Sequence, residues 1–169
     1  MNKFLGMIFL MLGFWGLSLE KVKEKKREIA TLSEIKSFAT YLLKEIEYSH
    51  IPIPDICREY VERSEGIIRD FLEKVCNRYD INQGKSFDII WKEVADETLM
   101  LKKEERKLLH LLGKSFGFCN LKMQMSAIEQ YIQDIEKIIL QKEMKFQDNR
   151  KLILYFGVMS GLLLSIILL

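Results

Sequence analysis

The chain has 169 residues, 49% of them hydrophobic, with a formal net charge of +2 and only two prolines and nine glycines. So few breakers favour long helices over many short strands. A charge so near balance gives little support to a nucleic-acid binder, which concentrates basic residues on one face. Three cysteines, Cys57, Cys76 and Cys119, show neither a CxxC pair nor a metal-knuckle spacing, and read as small hydrophobes of a reducing compartment.

The distribution of charge says more than its sum. Apart from Lys3, every charged residue lies between positions 20 and 151. The first element is the uncharged run 4–19, sixteen residues long, at the short end of the ~20 apolar residues (range about 17–25) that a membrane-spanning helix needs. A cleavable signal peptide is the rival reading, but the run has no small-residue cleavage site and its leading charge is Lys3 alone. Immediately after it stand Lys21, Lys23, Lys25, Lys26 and Arg27 against Glu24, five positive minus one negative, or +4 within residues 21–27. Positive charge flanking a span stays on the cytoplasmic side.

Next comes a helical stripe of Ile29, Leu32, Ile35, Ala39, Leu42 and Ile46. Its helix should stop near Tyr48, because Pro52 and Pro54 disfavour the helical conformation at the residues before them. A second helix should open at Pro54 or Asp55, carry Ile56, Tyr60 and Val61, and close around residues 64–66. Ile67, Ile68, Phe71, Leu72 and Val75 follow on a third. A loop at 80–84 leads to Ser86, a candidate cap for a fourth helix bearing Phe87, Ile90, Trp91, Val94 and Ala95. A fifth carries Leu108, Leu109, Leu111 and Leu112, with Glu104 and Glu105 near its positive N-terminal end and Gly113 as its expected C-cap.

The sixth is expected to begin behind the N-cap Asn120 and to run unbroken through the second uncharged run, 152–169. Leu121, Met125, Ile128, Ile132, Ile135 and Ile139 give it spacings of 4, 3, 4, 3, 4, a heptad-type stripe. Two readings stand: burial against the chain's own bundle, or a coiled coil between copies. Lys142, Lys145, Arg150 and Lys151 precede the terminal run and nothing charged follows it, which again puts the flank in the cytoplasm. The chain is therefore expected to be all-α. A cytoplasmic bundle of about six helices (21–151) is flanked by an N-terminal transmembrane helix (1–20) and a C-terminal one (152–169).

Chemistry-bearing motifs are missing. Gly113-Lys114-Ser115 looks like the end of a phosphate-binding loop, but Leu108 stands where the pattern needs glycine. His50 and His110 are sixty residues apart, with no metal-ligand pattern around either. Adjacent carboxylates such as Glu104 and Glu105 do not face each other on a helix. No catalytic, cofactor-binding or metal-binding residue is assigned, and no cofactor or nucleic-acid partner is expected.

Several residues in order carry a family resemblance: Leu42, Glu45-Ile46 and Tyr48 before Pro52; Trp91; Lys103-Glu104-Glu105 with Leu108; Leu112-Gly113, Phe116-Gly117 and Gln124; and the ending from Tyr155-Phe156-Gly157-Val158 through Gly161 to Leu169. Together they make the chain resemble the stage III sporulation protein AB family, relatives of the inner-membrane platform proteins of type II secretion and type IV pilus systems. It departs from the platform pattern at Cys119-Asn120, where an acidic residue is common. The resemblance implies a non-enzymatic scaffold in a secretion-like complex of the membrane facing the mother cell. Its partners would be a cytoplasmic secretion-type ATPase and other membrane subunits. Exposed charges such as Arg58, Glu62, Arg63 and Arg69 are the candidate contacts. A self-associating two-span structural protein, a homo-oligomer built on the 121–139 stripe, is the alternative.

Overall fold

A computed structural model describes the backbone of residues 2–49, 51–82 and 84–167, and the side chains of 20–49, 51–82, 84–148, 155 and 159. Six helices follow one another: α1 (Asn2–Tyr48), α2 (Ile53–Arg63), α3 (Gly66–Ile81), α4 (Phe87–Thr98), α5 (Lys103–Ser115) and α6 (Leu121–Ile167). The described backbone holds no strand. The all-α expectation and the count of six hold. Among the described residues no helix is long and apolar enough to cross a membrane. Nearly all side chains of the expected spans, 4–19 and 152–169, lie outside the described residues.

The chain divides into two compact units, residues 31–139 and residues 1–30 with 140–169. In the first, the prolines end α1 at Tyr48 as expected, but α2 starts earlier than expected, at Ile53. Pro52 occupies its cap position and Pro54 its first turn, where a missing N–H costs nothing. The Asp55 and Ile56 amides donate to the Pro52 carbonyl at 2.9 and 3.2 Å. Helix α3 opens on Gly66 at φ 78°, a left-handed backbone that glycine adopts without strain. The Glu34 carboxylate accepts the Ile68 amide at 3.3 Å there, giving the start of α3 an anionic partner from α1.

The core of this unit is aromatic and centred on Trp91, which is fully buried. Its ring stacks with Phe38 at 5.9 Å and meets Phe71 and Phe116 edge-on at 4.8 and 4.9 Å between centroids. Its Nε1–H donates to the Leu109 carbonyl at 3.0 Å, so the buried indole leaves no polar atom unpaired. A Cβ added at Gly113 would lie 2.4 Å from Trp91 Cδ1. Gly113 is therefore not the cap of α5, as the sequence suggested. It lies inside the helix, and its missing side chain lets α5 approach the indole. The C-cap is Phe116, in right-handed helical conformation.

The α5–α6 connection is dense in hydrogen bonds. Phe116, Gly117 and Phe118 amides donate to the Gly113, Lys114 and Ser115 carbonyls. The Asn120 side chain accepts the Met123 amide at 3.2 Å, making it the expected cap. Buried Gln124 donates to the carbonyls of Ser115 and Phe116 at 3.1 and 3.4 Å. Glu105 is buried and accepts the Lys102 amide at 2.9 Å, closing the start of α5.

In the second unit, α1 and α6 meet through an ion pair between Lys142 and Glu28, with Lys25 on the same carboxylate at 3.3 Å.

Candidate partner-contact surface

Two of the four charged candidates are engaged in internal contacts. Arg58 bridges two helices: Nη1 donates to Asp55 on α2 and Nη2 to Asp80 at the end of α3, both at 2.5 Å. The hydrogen bond to Asp80 raises its pKa above the ordinary guanidinium value. Arg58 thus latches α2 to α3 rather than standing free for a partner. Arg63 is also engaged, paired with Glu59 and lying 5.2 Å from the Tyr41 ring centroid. Glu62 and Arg69 are exposed. Arg69 and Asp80 stand eleven positions apart on α3, roughly 16 Å at 1.5 Å per residue.

The heptad stripe is partly rotated from its sequence register. Ile128, Ile135 and Ile139 are buried and Met125 and Ile132 half-buried, but Leu121 is 41% exposed, while Gln124 and Tyr131 are buried. The buried line is therefore Gln124, Ile128, Tyr131, Ile135 and Ile139. Lys36 of α1 pairs with Glu136 beside this line at 2.7 Å. Tyr131 is 4% exposed and, among the described residues, its hydroxyl has no hydrogen-bond partner; burial pushes its pKa up.

The helix ends enclose a groove of about 440 Å³ that the sequence reading missed, lined by Ile46, Pro52, Tyr79, Phe87, Phe116 and Leu121 among others. Tyr48, Ile81, Phe118 and Met123, close in sequence to its lining residues, are exposed.

The thiols have no visible chemistry. Burial pushes the Cys57 pKa well above its ordinary value and that of Cys76 up to about 11, so both stay protonated near neutrality and inert. Cys119 is exposed. His110 Nε2 lies 2.9 Å from Asp96 Oδ1, and Arg106 Nε lies 3.6 Å from the same oxygen. That is a link between α4 and α5. Among the described residues no three histidine, cysteine or carboxylate side chains gather as a metal site.

Comparison with known proteins places this architecture. One solved structure, "Stage III sporulation protein AB (SpoIIIAB)", matches with a TM-score of 0.65 at 18% identity, over 72% of this chain and 97% of that one. That similarity shows a shared fold. The Stage III sporulation protein AB of Bacillus subtilis (strain 168) is 23% identical over 175 residues, covering 99% of both chains. The family model for Stage III sporulation protein AB (spore_III_AB) matches residues 3–169, which takes in both units apart from the first two residues. The chain belongs to the stage III sporulation protein AB family.

Proposed function

We propose that the protein is a non-enzymatic, membrane-anchored platform subunit of a sporulation secretion-like complex, coupling a cytoplasmic secretion-type ATPase to the membrane assembly. The observation that carries this is the family match over residues 3–169, which includes the bundle and both uncharged runs. Those runs, 4–19 and 152–169, are the anchors, and the basic residues beside each hold residues 21–151 in the cytoplasm. Other membrane subunits meet the anchors. Of the four charged candidates on the bundle, Glu62 and Arg69 are the ones left for a partner, because Arg58 and Arg63 are engaged in internal contacts. The bundle supplies binding and position, and the chemistry belongs to the ATPase.

The test is a pull-down of the cognate ATPase by the full-length chain in its membrane. Retention is expected; persistent absence of the ATPase would sink the coupling role. The alternative, self-association through residues 121–139, is disfavoured because Ile128, Ile135 and Ile139 are already buried within one chain. A detergent-solubilised chain that sediments as a stable dimer or trimer would revive it.

A further inference from the structure

The two units differ in charge. Residues 1–30 with 140–169 carry ten basic and five acidic side chains, or +5; residues 31–139 carry 16 basic and 19 acidic, or −3; the two sum to the chain's +2. Most of the positive excess sits beside the uncharged runs. We infer that the collar formed by Lys21, Lys23, Lys25, Lys26 and Arg27 of α1, with Lys145 of α6, binds the headgroups of anionic phospholipids. This rests on the membrane-anchored reading above and deepens it.

Three observations carry the inference. First, all six side chains are exposed. At ~100° per residue, positions 21, 23, 25, 26 and 27 spread around the helix as a ring rather than a face. Second, the acidic residues of this segment, Glu20, Glu24 and Glu28, recur every four positions and share one stripe. Glu28 on that stripe is 17% exposed and held by Lys142 and Lys25. The negative charge is thus partly neutralised by α6, while the remaining circumference is basic. Third, residues 21–27 rise roughly 9 Å along the axis. That is comparable to the headgroup layer, which adds about 5–8 Å to the hydrocarbon core on each side.

The position selects the ligand. The ring begins two residues after one uncharged run, and Lys145 stands seven residues before the other, so phosphate groups of surrounding lipids are the anions within reach. Clusters of four to eight Lys and Arg beside a span attract anionic lipid in this way. Residues 31–139, by contrast, carry a net charge of −3.

The full-length chain in phosphatidylcholine vesicles, probed with spin-labelled phosphatidylglycerol against spin-labelled phosphatidylcholine, gives the test. A roughly threefold or greater preference for phosphatidylglycerol is expected at low salt. It should fall towards one at about 0.5 M salt and in the variant K21Q/K23Q/K25Q/K26Q. The variant E20Q/E24Q, which removes two negative charges, should raise the preference. Equal association of both lipids with the wild type, undiminished preference in the lysine variant, or no rise in the glutamate variant would each overturn the inference while leaving anchoring intact. A wild-type chain that fails to enter vesicles of either lipid would overturn the anchored reading, and the inference with it.

Discussion

The two units are built on opposite physical terms. Residues 31–139 bury an aromatic cluster and tie it with side-chain hydrogen bonds to backbone: Trp91 on Leu109, Gln124 on the end of α5, Asn120 on the start of α6. Residues 1–30 with 140–169 combine the uncharged runs 4–19 and 152–169 with a net charge of +5. Apolar burial specifies the first unit, while the second has a composition suited to the interface between water and lipid. The difference separates a unit specified by burial from one marked by charge, and substitutions should tell the two apart.

The largest effect on the first unit should come from Trp91→Ala. It removes four ring contacts and a buried hydrogen bond, and should cost about 3–5 kcal/mol in denaturant unfolding of the reconstituted chain, with vesicle association unchanged. A cost below about 1 kcal/mol would show that the indole does not organise the bundle. Gly113→Ala comes next, at about 1–3 kcal/mol, because its methyl group collides with that ring. The penalty should shrink in a Trp91→Leu background, since the two sites touch; an unchanged penalty would place the strain elsewhere.

Smaller effects sharpen the account of α6. Asn120→Ala should lose about 1 kcal/mol with its cap. Tyr131→Phe should be neutral or stabilising by up to about 1 kcal/mol, because it deletes a buried hydroxyl with no partner among the described residues. Clear destabilisation would reveal a partner for that hydroxyl.

The smallest effect is electrostatic. A bidentate hydrogen bond from Arg78, at 2.8 and 2.7 Å, holds Glu97 below its ordinary 4.5, and hydrogen bonds from Gln130 and then Lys137 hold Asp134 below 3.8. A carboxylate whose folded pKa is depressed stabilises fully above its unfolded value and loses that contribution as pH falls through the folded one. Stability should therefore decline below about pH 4.5, and Glu97→Gln should slightly flatten the decline. Glu97 is exposed and Asp134 half-exposed, so added salt should largely erase the difference.

Local rules made much of this fold legible. Two prolines set the end of α1 at Tyr48, and Asn120 announced the start of α6, because both signals act through adjacent backbone. Gly113 was misread for the same reason. Its role depends on Trp91, 22 positions earlier, which no neighbouring residue reveals. The stripe on α6 was legible as a period but not in its full membership. Gln124 is polar, and its burial depends on carbonyls left open at the end of another helix. The charged candidates showed the reverse problem: Arg58 reads as a solvated charge until Asp80 is brought beside it.

The proposed anchoring would hold the bundle at the cytoplasmic face of a membrane, and Cys119 is the reporter for it. Cys57 and Cys76 are buried, whereas Cys119 is exposed, so a membrane-impermeant maleimide reads that one position on the folded chain. The measurement is its labelling in the carbonate-washed membrane fraction, with the reagent added before or after cells are permeabilised. The account predicts recovery in that fraction and labelling only after permeabilisation. Labelling of intact cells, or loss of the chain from washed membranes, would contradict it.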